Sequence, residues 1–150
     1  MGPNHFINAW NSSFRIWDKE GNPLISPASL GTIFPGETAG DPIVMYDPYA
    51  DRFIVTEFTF LNGFLVAVSQ GPDPVNSGWY TYYFSTNSFP DYPKFSLWSD
   101  GYYITSNKNS GSAGFSEVVY AIERDKMLVG DADAQMIGFP LPTITTSGFF

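Results

Sequence analysis

Residues 42–84 read PIVMYDPYADRFIVTEFTFLNGFLVAVSQGPDPVNSGWYTYYF. β-Branched and aromatic side chains fill short runs at 43–46, 53–60, 64–69 and 79–84, punctuated by Asp47-Pro48, Leu61-Asn62-Gly63 and the stretch 71–78. Runs of this length between turn residues, with no helical periodicity, predict four strands joined as a meander. Phe53-Ile54-Val55 and residues 64–68 are apolar at consecutive positions, so the two middle strands need cover on both faces of their sheet. Residues 79–84 are aromatics whose polar tips reach water, which predicts an outer strand.

The same order returns downstream. Runs at 94–98, 102–106, 117–122 and, more weakly, 135–139 are separated by Ser99-Asp100-Gly101, an Asn/Ser/Gly-rich stretch at 107–114, and 124–134. The two units align at Asp41-Pro42 against Asp91-Tyr92-Pro93, at Asp51-Arg52-Phe53 against Asp100-Gly101-Tyr102, and at Val66-Ala67-Val68 against Tyr120-Ala121-Ile122. Upstream, 6–10, 13–18 and 24–26 fill the second, third and fourth places of an incomplete unit, the last reached through Lys19-Glu20-Gly21-Asn22. A four-stranded repeat of about 50 residues is the signature of a β-propeller blade. The expected fold is therefore all-β, with about 2.7 blades: a partial blade at about 1–35, blades at 40–88 and 89–142, and a tail at 143–150. The alternative is a two-sheet β-sandwich of roughly eight to eleven strands. Propellers close with about four to eight blades, so open blade faces are expected to meet further blades of a longer parent chain or copies of the chain itself.

Composition narrows the partners. Seven basic against fifteen acidic side chains leave a net charge of -8, with no basic cluster to meet nucleic acid or an anionic membrane. No apolar run reaches the length of a transmembrane helix, and no signal-peptide pattern opens the chain. The absence of cysteine removes thiol nucleophiles, disulfides and Cys-rich zinc sites, and a single histidine, His5, cannot build a multi-His metal site. An acidic, aromatic-rich, Lys-poor balance leans towards an extracellular or cell-surface setting.

Several strings resemble a known family. Gly2-Pro3-Asn4-His5, residues 11–19, Gly40-Asp41-Pro42-Ile43-Val44-Met45-Tyr46-Asp47, Ala50-Asp51-Arg52-Phe53 and Phe89-Pro90-Asp91-Tyr92-Pro93-Lys94 resemble propeller regions of large secreted or cell-surface bacterial proteins. The resemblance spans residue 2 to about 142. It implies an extracellular propeller, often accompanied by adhesive modules or a sorting domain, and no settled enzymatic activity. Members of that family contain further blades.

Among candidate site residues, Asp41 and Asp91 stand just before the expected innermost strands. Repeated around a ring, such carboxylates suit Ca²⁺, which takes six to eight oxygen ligands; the plainer reading makes them turn residues that cap strand starts. Asp47, Asp51 and Asp100 fall in turns, where Asx chemistry accounts for them. Asp131 and Asp133 lack the further acidic positions of an EF-hand loop. Asp18 to Asn22 departs from a sialidase Asp-box and reads as a hairpin turn. Glycoside hydrolysis needs a carboxylate pair, for which Glu57 and Glu117 are the remaining partners, and spacing selects none. Trp10, Trp17, Trp79 and Trp98 read first as packing residues. Of the loop aromatics, Tyr49, Trp79, Phe89 and Tyr92 are the expected ligand contacts, since exposed aromatic rings stack on sugars and anchor protein interfaces.

The expected function is a non-enzymatic extracellular module that serves as a scaffold or binding surface for glycan or protein. The alternatives are part of a glycan-active hydrolase or lyase with a carboxylate site, and a self-assembling fragment that closes a homo-oligomeric ring.

Overall fold

The computed structural model describes residues 1–36, 39–108 and 116–141. Its eleven strands form three antiparallel sheets. The first is β1 (Phe6–Trp10), β2 (Ser13–Trp17) and β3 (Ala28–Ser29). The second is β4 (Ile43–Asp47), β5 (Arg52–Phe58), β6 (Gly63–Ser69) and β7 (Trp79–Ser85). The third is β8 (Pro90–Leu97), β9 (Tyr102–Lys108), β10 (Ser116–Ile122) and β11 (Met136–Pro140). Each sheet is a simple meander in chain order, and none is closed, as the turn punctuation requires. Asn and Asp supply the left-handed residues of the tight turns, with Asn11 at φ 48°, Asp51 at 56° and Asn62 at 37°; their short polar side chains tolerate that region better than most.

The middle sheet is covered on both faces. Ile54, Phe64, Val66 and Val68 pack with Tyr102, Ile104, Val118, Tyr120 and Ile122 of the third sheet. The alternate residues Val55, Leu65 and Ala67 pack with Phe14 and Ile16 of the first sheet and with Leu30, Ile33 and Phe34 beyond β3. Consecutive apolar residues in β5 and β6 are thus explained by the period of two: each strand feeds two cores at once. β7 is an edge strand whose exposure alternates, as expected.

Four details depart from the sequence reading. The strand expected at 24–26 forms instead at Ala28–Ser29, while Pro23 makes only an isolated bridge to Trp17. The segment 124–134, expected as a plain connection, begins with a short helix, α1 (Arg124–Leu128). β8 begins at Pro90, earlier than the expected 94, with a bulge between Asp91 and Lys94. Asp91 therefore lies inside the strand, opposite Asn107, and the counterpart of Asp41 is Tyr92. Both precede a proline, and both are left-handed, at φ 53° and 54°. Likewise Val118 and Tyr120 face the second sheet as Leu65 and Ala67 face the first, one residue earlier than the sequence alignment places them. A slip of one residue reverses every face of a strand, so burial decides the register. The loop beyond Lys108 and the tail at 143–150 lie outside the described residues, as does the side chain of Glu117 on β10.

A buried ion pair pins the second sheet to the third. Asp47, fully buried at the end of β4, accepts hydrogen bonds from Arg124 Nε at 2.7 Å and from Tyr102 Oη at 2.9 Å through one oxygen, and from the amides of Tyr49 and Ala50 through the other. Arg124 also donates to the Ser99 carbonyl at 3.1 Å. Burial alone pushes the Asp47 carboxyl up, but the bonds from Arg124 and Tyr102 and the guanidinium charge outweigh it, holding the group below its ordinary value. Burial and the neighbouring carboxylate raise the Tyr102 phenol well above its usual range.

Removing one member of such a pair strands the other, so Arg124→Met is expected to cost about 3–5 kcal/mol in urea denaturation. Because the Asp47 carboxyl is lowered on folding, its contribution is complete above the unfolded carboxylate pKa of about 4 and is lost as pH falls below it. The stability gap between wild type and Asp47→Asn should therefore shrink between about pH 4 and pH 2. A gap that stays constant through that range would contradict the assignment.

Candidate functional site

β1, β4 and β8 are the first strands of their sheets and edge strands in each. Their ends meet around an open cleft of about 470 Å³, lined by the end of β1, the starts of β4 and β8, and Phe58 at the end of β5. The first sheet contributes Trp10 and Asn11, the second Asp41 and Pro42, the third Asp91, Tyr92 and Lys94. Trp10 and Tyr92 are 41% and 56% exposed. Lys94 Nζ sits 4.2 Å from the centroid of the Tyr92 ring, a cation–π arrangement that holds the ammonium at the cleft wall. Phe58 in turn packs against the exposed Phe89, ring centroids 4.9 Å apart.

The backbone here is unusual. Among the described residues, five non-glycine residues have positive φ, and three of them, Asn11, Asp41 and Tyr92, line this one cleft. For Asn the left-handed region is a mild penalty, but for a bulky residue such as Tyr it is an outlier. Such strain persists only where surrounding structure enforces it, and it gathers at functional sites. Gly40 shows how tightly the rim is built: its φ is 90°, and a side chain there would press on the Asn11 carbonyl.

The structure thus brings together Asp41, Asp91 and Tyr92, with Phe89 adjoining through Phe58. Tyr49 and Trp79 stand elsewhere. Tyr49 occupies the turn at the opposite end of β4 and makes an edge contact with Trp98, centroids 6.0 Å apart, both rings being exposed. Trp79 is half-buried against the core between the first and second sheets. Asp18, Asp47 and Asp131 accept turn amides, whereas the bonds at Asp51 and Asp100 come from tyrosine hydroxyls rather than from the amides that Asx chemistry predicts. Asp18 accepts from the amides of Glu20 and Asn22, Asp51 accepts from the Tyr46 hydroxyl and Asp100 from that of Tyr103, and Asp131 caps the Asp133 amide. His5 packs its ring edge-on to Phe53 and lies 3.8 Å from Asp73. Glu57 is buried in β5 and accepts from the Gly40 amide.

Among the described residues no three His, Asp or Glu side chains converge as metal ligands. Since Tyr92 rather than Asp91 repeats the place of Asp41, the repeat supplies no ring of equivalent carboxylates. Asp41 and Asp91 contribute at most four of the six to eight oxygens that Ca²⁺ takes.

Trp10, Asn11 and Lys94 were not singled out as ligand contacts in the sequence. A signal existed for Trp10: in the string Phe-Ile-Asn-Ala-Trp, Ile7 and Ala9 face the core, so alternation turns Trp10 outwards. Comparison with family models, with curated proteins and with solved structures finds no match to this chain. No helix among the described residues is long and apolar enough to cross a membrane.

The strain is measurable. Asp41→Gly should raise stability by about 1 kcal/mol in chemical denaturation, because glycine accepts a left-handed φ without the side-chain penalty. A loss of stability would mean that the Asp41 side chain holds the rim together.

Proposed function

We infer that the chain is a non-enzymatic binding module of β-propeller type, acting outside the cell or at its surface and presenting the cleft between β1, β4 and β8 to a glycan or protein. The observation that carries this reading is the convergence of one edge strand from each of the three sheets on one cleft whose walls hold exposed aromatic and polar side chains on strained backbone. Successive meanders of three, four and four strands, each covering the face of the next, support the propeller arrangement over a sandwich. Of the carboxylates, Asp47 is committed to Arg124 and Tyr102, and Glu57 accepts from the Gly40 amide, so a hydrolase or lyase site in this cleft would have to use Asp41 and Asp91. The acidic surface suits a partner that is not polyanionic.

Binding without turnover is the test. The immobilised chain should retain a partner from a panel of oligosaccharides and extracellular-matrix proteins, and mass spectrometry should recover the retained oligosaccharide uncut. Release of shorter products would replace this reading by a glycan hydrolase or lyase.

A second reading, association of copies or of further blades through the outer sheet faces, rests on a separate observation. On the outer face of the third sheet Ile137 and Phe139 are 56% and 54% exposed. On that of the first sheet Phe6 and Trp17 are half-buried, with the charged groups of Lys19 and Arg15 over their rings. Burying about 600 Å² of apolar surface offers on the order of 15 kcal/mol against association costs of roughly 4–15 kcal/mol. Light scattering over a range of concentrations should find species heavier than the 16.7 kDa chain, and Phe139→Lys should reduce them. A monomer at high concentration would exclude association of copies.

A further inference from the structure

We propose that the cleft between β1, β4 and β8 binds a neutral pyranose glycan, with Trp10 and Tyr92 as its stacking surfaces and Asn11, Asp41 and Asp91 as its hydroxyl-binding groups. The inference rests on the reading of the chain as a binding module and narrows it to a place and a ligand class. A pyranose ring presents apolar C–H faces and a rim of hydroxyls, so its recognition needs flat apolar surfaces beside polar groups aimed at the rim. Trp10 comes from the first sheet and Tyr92 from the third, both exposed, with Asp41 supplied by the sheet between them. Ionised carboxylates only accept, an ammonium only donates, and an amide does both; Asp41, Asp91, Lys94 and Asn11 together match a set of hydroxyls, which also do both. Among the described residues no hydrogen bond engages the side chains of Asn11, Asp41 or Asp91, so these groups are open to a ligand.

Size and charge select among ligands. About 470 Å³ lies within the range of small-molecule pockets. Two carboxylates against one ammonium in the cleft, on a chain of net charge -8, repel an anionic glycan. The left-handed conformations of Asn11, Asp41 and Tyr92 set the directions in which their Cα–Cβ bonds leave the backbone at the cleft.

The experiment is a titration of the full chain with cellohexaose, mannohexaose, maltohexaose and chitohexaose, with hexagalacturonate as the anionic comparison, followed by calorimetry and tryptophan fluorescence. At least one neutral hexaose is expected to bind, and hexagalacturonate is not. Trp10→Ala and Tyr92→Gly should each weaken that binding at least tenfold, while Trp98→Ala, at the far end of the sheets, should change it less than twofold. Tyr92→Gly suits its left-handed backbone, and coincident thermal melts of the variants separate lost affinity from lost fold. The proposal is overturned if none of the four neutral hexaoses binds, if hexagalacturonate binds more tightly than they do, or if both cleft variants bind as wild type does. In the last case the binding-module reading stands and the glycan sits elsewhere. Retention of a protein but no hexaose likewise overturns only the glycan assignment, and retention of nothing overturns both readings.

Discussion

The described part of the molecule is arranged around two strands, β5 and β6, that have no solvent face. The strands β5 and β6 carry apolar residues at successive positions because each must fill two cores, Ile54, Val66 and Val68 towards the third sheet and Val55, Leu65 and Ala67 towards the first. A sheet buried on both sides cannot slip or lose a neighbour without exposing one entire face to water. The order of the three sheets follows, and with it the position of every edge strand.

That stacking creates a problem of polar groups, which the Asp47 cluster meets. The turn after β4 lies where the third sheet closes over the second, so its Asx-turn carboxylate is sealed from water. A sealed carboxylate is costly unless all its lone pairs are used. Arg124, Tyr102 and two turn amides use them. The short helix α1 is part of the same arrangement, since it starts at Arg124 and carries Met127 into the adjoining core.

The opposite end of the sheets has a different character. There Asp41, just before β4, and Tyr92, at the bulge of β8, each precede a proline. Both hold left-handed conformations at matching places, and the ends of β1, β4 and β8 leave a cleft between them. Aromatic rings left half in water at such a place are better suited to contact with a ligand than to packing.

The sequence by itself determined the strands, their grouping into meanders and most of the turns. Those features depend on neighbours a few residues apart: β-branched and aromatic runs, Asp-Pro and Asn-Gly punctuation, side chains such as Asp18 that bond their own turn. Asp41, Asp91 and Tyr92 were legible as residues at strand starts for the same reason. Only the tertiary structure decided which face each strand presents, that β8 starts four residues early through a bulge, that Arg124 reaches Asp47 across more than one repeat, and that Trp10 joins Tyr92 in one cleft while Tyr49 and Trp79 stand apart. Each of these depends on which sheet lies against which. Such contacts are set by burial summed over a whole face, and no local stretch of sequence contains that sum.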